Sequence, residues 1–427
     1  MIFVWGYDKI LQMRDIFCGI DFGTTNSVIA LTDGRKVSLV PLENEKKMFP
    51  TAIFCSKTDR LFGQRAIDAY MQGEEGRFMR SMKRILGTDL MNATTLINGK
   101  QISFDSLIAA FLKEIKTRAE NYIHSEITSV VLGRPVHYQD NMPEADAEAE
   151  GKMREISKKV GFKEIVFQYE PIAAAFAHEQ NLSQNKIALV ADLGGGTSDF
   201  TIMRIGPNYR QKSDRKDDIL ATSGIRVGGN DFDKDLSVNS FMPQFGKGTS
   251  YGTKNLPVPE FLFSQISEWS KINFMYTPKN LKMIKDILLE SHNPECVENL
   301  LLLLEMQQAH QLLQVVEQAK IDLTNQEQVK TFFDNLGKHL NFEIESKVFE
   351  KVVQQECNKI IFSIKECLSN ANLEPDKIEL LILTGGTSQI PLVQKSIRRL
   401  FPKALISDKQ KMESVALGLA HMAEKVF

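Results

Sequence analysis

Nothing in this chain reads as a disulfide framework. Its five cysteines, Cys18, Cys55, Cys296, Cys357 and Cys367, are odd in number, scattered and free of any CxxC spacing. That usage also argues against a zinc site and suits a reducing compartment. The histidines form no H-x-x-x-H pair and join no cysteine cluster, so no metal centre is expected from them. An excess of one charge is missing as well: 52 Lys and Arg face 54 Asp and Glu, for a net charge of −2. This balance gives no electrostatic case for a nucleic-acid partner or an anionic membrane. No apolar run is long enough to span a bilayer; the densest, Leu300 to Leu304, stops at Glu305. The opening residues, MIFVWGYDKILQMR, lack an apolar core segment and a cleavage site, so a secretory leader is not expected and Met13 is an alternative start. The chain reads as cytoplasmic. GxxxxGK[ST] is also absent, which excludes a P-loop enzyme.

What is present is enough chain, 427 residues at 43% hydrophobic, for two or more domains with a sizeable core. Two segments share one design. Residues Ile16 to Ala30 read as strand, Gly/Thr turn and strand, with Asp21 closing the first strand and Gly23, Thr24, Thr25 and Asn26 in the turn. Residues Lys186 to Ile202 repeat it, with Asp192 at the strand end, Gly194, Gly195, Gly196 and Thr197 in the turn, and Asp199 beyond. Glycines able to take positive φ, flanked by β-branched residues, predict hairpins. Two hairpins with the same Asp placement point to a duplicated α/β domain.

Helices are expected over Phe104 to Tyr122, Asp146 to Val160, Ser346 to Ala371 and Ser414 to Glu424. A long amphipathic region, Asn280 to Leu323, is broken near Asn293-Pro294. Buried strands are expected at Ser129 to Val136 and Ile378 to Leu383, the latter followed by a third glycine turn at Gly385-Gly386. Phe241 to Pro259 is rich in Pro and Gly and reads as an irregular connection.

If the two hairpins face each other, each presents backbone amides in a Gly/Thr turn, which make anion-binding concavities. Each also brings a carboxylate, Asp21 and Asp192, with Asp199 nearby. Carboxylates beside phosphates repel unless a divalent cation lies between them. Mg²⁺ suits that place, because it keeps several waters and binds through one or two carboxylates plus phosphate oxygens. The pair of hairpins therefore implies a clamp on a polyphosphate with Mg²⁺.

These residues resemble the nucleotide-binding unit of the heat-shock-70 (DnaK) family, within the actin/hexokinase/heat-shock-70 superfamily. Gly19 to Ser27 is similar to the family's first phosphate loop and Asp192 to Thr197 to its second. Glu170 to Ala175 is similar to the connecting segment, Val227 to Asp233 to the GGEDFD stretch, and Thr384 to Pro391 to the second adenosine motif. Stretches such as Gln168 to Pro171 resemble the short, YegD-like branch.

The resemblance implies two duplicated RNase-H/actin-like lobes with ATP or ADP in the cleft between them. Lobe I is expected over 1–185, completed by a helix in 411–427. Lobe II is expected over 186–410, with an atypical insertion at about 241–316 and no peptide-binding domain in the chain. It also implies site roles. Lys83, in Met82 to Gly87, stands at the family's catalytic lysine; Glu170 and Thr197 position the attacking water; Asp192 joins them. Asp21, Asp192 and Asp199 hold Mg²⁺ largely through water, with K⁺ as a further candidate. Thr24 and Thr25 bond phosphate oxygens. Gly228, Gly229, Glu317, Lys320, Thr324, Gly385, Gly386 and Ser388 form the adenosine side.

Two features depart from the family pattern. Gln389 replaces the arginine that stacks on adenine, and Asp408 to Ser414 lacks the NPDEA pattern. The implied function is slow ATP hydrolysis in a chaperone-related or scaffolding role with a protein partner of unknown identity. A nucleotide-binding pseudoenzyme and a small-molecule kinase of the same superfamily are the alternatives.

Overall fold

The computed structural model describes residues 15–140, 142–212, 214–407 and 413–427. The opening MIFVWGYDKILQMR segment, with Met13, lies outside the described residues, as does most of the stretch from Asp408 to Ser414.

Two sheets carry the duplication. In the first, Phe17–Phe22 pairs antiparallel with Asn26–Thr32, which pairs with Val37–Leu39. Ser129–Arg134 and then Glu164–Tyr169 join in parallel on the other side of Phe17–Phe22. In the second, Lys186–Leu193 pairs antiparallel with Ser198–Ile205, which pairs with Ile219–Ile225. Leu380–Thr384 and Leu405–Ser407 join in parallel on the other side of Lys186–Leu193. A three-strand meander plus two parallel strands, each reached through a crossover, thus occurs twice in chain order, as an internal duplication predicts. The central strands are apolar nearly throughout because both faces are covered.

Each repeat also ends on a helix, Glu170–Glu179 after the first and Ser414–Val426 after the second. These two helices pack together, and the terminal one also lies on Phe17–Phe22. Small residues allow both contacts: a Cβ on Gly418 would stand 1.6 Å from the Ala173 carbonyl oxygen of the other helix, and one on Gly19 of the strand would stand 2.4 Å from the Ala420 nitrogen. Around them, one core gathers Val131, Ala173, Val190, Ile382 and Leu419, drawn from both repeats. A second, larger core lies under the first sheet and is filled by Phe104–Ile123 through Leu107, Phe111 and Ile115.

The described chain divides into two compact units. One comprises 1–226, 360–388 and 397–427; the other comprises 227–359 and 389–396. The cut falls at 226/227 because both sheets share the core around the paired helices. The second unit is helical, with Gly229–Leu236, Glu260–Ile266, Pro278–Leu289, Pro294–Glu305 and Ala309–Asp322, and with an antiparallel hairpin, Gln328–Phe333 with Leu340–Glu345.

Several sequence expectations need correction. The 280–323 region breaks twice, the second time near Gln307, which takes φ 53°. Ser346–Val352 and Gln354–Asn370 replace a single long helix. The hairpin glycines are wanted for a different reason than expected. Gly23, Gly194 and Gly196 do not adopt positive φ. A Cβ on Gly23 would stand 2.1 Å from the Asn26 carbonyl oxygen, and one on Gly196 would stand 2.6 Å from Thr24 Oγ1. Room, not φ, selects glycine at those two positions.

One carboxyl in the second unit supplies a pH test. Asp235 is pushed up to about 6, first by burial and then by Glu356 and Asp231, against the opposing pull of Lys234 and Lys359. Its folded value thus lies above the ordinary carboxylate range, so the native state binds the proton more tightly than the unfolded chain. Stability from this group falls as pH rises through 6. Asp235→Asn is expected to raise Tm at pH 7.5, with the gain shrinking through pH 6 and gone near pH 4. Thermal unfolding at those three pH values checks it, and a pH-independent difference would refute it.

Candidate nucleotide-binding site

Three loops at strand ends meet around one pocket of about 100 Å³, built wholly within the first unit. The first hairpin turn supplies Gly23, Thr24, Thr25 and Asn26, and the second supplies Gly194, Gly195, Gly196 and Thr197. Gly385 and Gly386 follow the third strand end. Gly385 takes φ 78°, and a Cβ there would stand 2.2 Å from the Leu193 carbonyl oxygen, so both conformation and space demand glycine.

The backs of the loops follow one rule. Thr51 Oγ1 donates to the Gly23 carbonyl at 2.8 Å, Thr387 Oγ1 to the Gly194 carbonyl at 2.7 Å, and Ser388 Oγ to the Gly385 carbonyl at 2.7 Å. Thr51 N–H also donates to the Thr25 carbonyl at 2.9 Å. In each loop a hydroxyl from behind takes up a glycine carbonyl. An anion is repelled by carbonyl oxygens and attracted by amides, so engaging the carbonyls elsewhere suits these loops to phosphate.

Four charged side chains line the same pocket: Asp21, Lys83, Glu170 and Asp192. Strand register brings Asp192 into place, paired across the hairpin with Asp199 and in parallel with Thr384. Glu170 is the first residue of its helix, where the helix dipole favours a carboxylate. Lys83 Nζ donates to Glu170 Oε1 at 2.5 Å, with both side chains buried.

The electrostatics are crowded with negative charge. Burial raises the Asp21 carboxyl well above the usual range, Glu170 and Asp192 add to the rise, and Lys83 opposes it. Asp192 is raised likewise, by burial and then by Glu170 and Asp199. For Lys83, burial pulls the ammonium down, but Glu170 and Asp21 outweigh it and leave it above its ordinary value.

Asp199 does not line the pocket. It is buried, its Oδ1 accepts from the Val136 N–H at 2.6 Å, and burial together with Glu170 pushes it up to about 7. It lies across the hairpin from Asp192 and ties the second hairpin to Val136, just past the strand Ser129–Arg134. Ser388 also stands back, holding Gly385. Gly228, Gly229, Glu317, Lys320 and Thr324 belong to the second unit. There, Lys320 pairs with the fully buried Asp233 at 2.7 Å and donates to the Gly229 carbonyl at 3.1 Å. Thr324 Oγ1 donates to the Ile321 carbonyl at its own helix end.

Sequence reasoning misses Val28, Met48, Thr384 and Val415 as lining residues. Thr384 is legible as the residue before Gly385-Gly386. The others are apolar and carry no local signal.

Among the described residues no group of three or more His, Cys, Asp and Glu converges as a ready set of metal ligands. Two mutually repelling carboxylates, half-buried Asp21 and buried Asp192, still provide the setting that a divalent cation relieves. The donor set therefore fits Mg²⁺ held by one or two carboxylates with water and phosphate completing its shell. A family model described as Hsp70 protein matches residues 17–256 and 296–426, most of the chain. Residues 257–295 lie between the two matched stretches.

Proposed function

Because this chain belongs to the Hsp70 family, and is on that ground an ATP-binding, Hsp70-like protein with an actin-like ATPase fold, we propose that it hydrolyses ATP slowly at the three-loop pocket. The observation that carries this reading is the buried Lys83–Glu170 pair opening onto the same pocket as the glycine loops. A site that only held nucleotide would need the loops. Placing a cation and a carboxylate at their meeting point supplies what phosphoryl transfer to water requires, namely charge neutralisation and orientation of the nucleophile.

In this reading Lys83 neutralises charge on the terminal phosphate, while Glu170 and Thr197 orient the water. Gly23 to Asn26 and Gly194 to Thr197 cradle the phosphates. Asp21 and Asp192 hold Mg²⁺ through water, with Asp199 as their support; K⁺ is a further candidate. Mg²⁺, when bound, neutralises the phosphate oxygens and the two carboxylates together. Gly385 and Gly386, with Ser388 holding them from behind, serve the adenosine side. Each sheet repeat is the centre of one lobe, and the role is chaperone-related or scaffolding, in the cytoplasm.

Calorimetric titration with ATP in Mg²⁺ buffer is expected to show saturable binding that weakens when the metal is chelated. Phosphate release under the same conditions is expected to be slow but measurable. No ATP binding at all would remove the assignment, and tight binding without release would leave a nucleotide-binding pseudoenzyme.

A further inference from the structure

Lys83 is carried on a short 3₁₀ turn, Met82–Ile85, that follows Ser81, a buried non-glycine residue at φ 60°. Such a conformation persists only where its surroundings over-determine it. The turn is gripped from the far end of the second sheet. Arg226 directly follows the strand Ile219–Ile225, and its Nη2 donates to the carbonyl of Arg84, the residue next to Lys83. Its Nη1 donates to Gln139 Oε1 at 2.9 Å, and its backbone N–H donates to Asp140 Oδ1 at 2.8 Å. Gln139 in turn donates through Nε2 to the Leu86 carbonyl at 3.3 Å. The backbone on both sides of Ile85 is thereby fixed by one guanidinium and one amide. The Arg84 side chain lies against Gly196 of the second loop, where an added Cβ would meet its Cγ at 3.1 Å.

We propose that Arg226 is a positioning residue: it sets the height of Lys83 in the pocket by holding the Arg84 carbonyl, and so couples the second sheet to the cation that reads the terminal phosphate. The proposal rests on the reading that Lys83 meets that phosphate. Arginine suits the task because its planar fork donates to two fixed acceptors at once, which an ammonium cannot reproduce. Arg226 touches no reacting group. Its loss therefore displaces Lys83 without removing it, and a small displacement of a catalytic group costs far more in turnover than in general binding.

The test measures MgATP and MgADP affinity by calorimetry, with phosphate release, for Arg226→Met, Arg226→Lys and Gln139→Ala. Arg226→Met is expected to weaken ATP binding and slow release by about tenfold to a hundredfold each, with ADP affinity held within about twofold. Arg226→Lys should restore neither, and Gln139→Ala should lose less in the same direction. Equal loss of ATP and ADP affinity would show general damage to the site and overturn the proposal, as would no change in either. Should the Arg226 variants fail to fold, Gln139→Ala decides alone, because it removes one acceptor and no charge. Lys83→Ala separates the two levels. If it leaves the preference between ATP and ADP untouched, the reading of the pocket falls. If it abolishes that preference while the Arg226 variants do not, only the positioning role falls.

Discussion

Replacing Lys83 with alanine is expected to lower ATP turnover by about a hundredfold to a thousandfold, the usual cost of removing one preorganised charge-stabilising group from a water-poor site. MgADP binding should survive while the preference for ATP over ADP is lost, because the phosphate cradle is made of backbone in the two hairpin loops, whose carbonyls are tied back by Thr51 and Thr387. The variant also loses stability without nucleotide. Lys83 is the cation paired with buried Glu170, amid Asp21 and Asp192, whose carboxyls are already raised. Breaking a buried pair by deleting one partner costs about 3–5 kcal/mol in general, although proton uptake by the crowded carboxylates offsets part of it here. Lys83→Arg should not rescue turnover, since a wide planar fork does not fit where a compact ammonium sits. Single-turnover phosphate release, read beside calorimetric ATP and ADP binding, checks both halves. Turnover that survives unchanged in Lys83→Ala would refute the role.

Gly418→Ala is expected to be the most damaging single methyl that can be added to the paired-helix core. In the middle of the helix Ser414–Val426, alanine would ordinarily stabilise by about 1 kcal/mol over glycine. Here the new Cβ would stand 1.6 Å from the Ala173 carbonyl oxygen and 2.3 Å from its carbonyl carbon, both backbone atoms of the neighbouring helix. No rotamer relieves that contact, so the two helices must separate. Overpacking a core costs about 1–3 kcal/mol where side chains can yield; with backbone on both sides, about 4 kcal/mol or more is expected. The helix also brings Val415 to the pocket and hydrogen-bonds Ser414 Oγ to Thr384 Oγ1 at 3.2 Å. ATP affinity should therefore fall with stability. Urea unfolding followed with ATP titration measures both, and an unchanged or higher midpoint would show that the helix does not dock through Gly418.

Much of the site is legible in residue order, because phosphate loops advertise themselves locally. Asp21 with Gly23 to Asn26, and Asp192 with Gly194 to Thr197, carry turn glycines, hydroxyls and a strand-end carboxylate in close succession. Lys83 has no such signal and needs the family resemblance, since a lysine in a short turn is most often a surface residue. The reason for the glycines is not legible in the same way. Local chemistry suggests positive φ, whereas the constraint at Gly196 is Thr24, a residue from the other hairpin.

The duplication shows the same division. Two matching Asp-turn segments predict two related sheets, and the orders of the five shared strands agree, with the short strand Phe49–Pro50 added to the first sheet alone. That Glu170–Glu179 and Ser414–Val426 pack together, fuse the cores of the two repeats and shift the unit boundary to 226/227 is not legible. Neither is the break between Val352 and Gln354, because no glycine or proline marks it.

Residue order specifies the chemistry on offer: strand-end carboxylates, amide-rich turns, one lysine and one glutamate, all in an α/β duplication. Turn chemistry and side-chain periodicity act over a few residues, so they are written locally. Which residues face the pocket and which stand behind it is settled by packing. Asp199 goes to a buried support and Lys320 to an ion pair with Asp233, while Arg226 comes to rest behind Lys83. Those outcomes depend on contacts between segments far apart in the chain. Burial and charge pairing are fixed only when the sheets have packed.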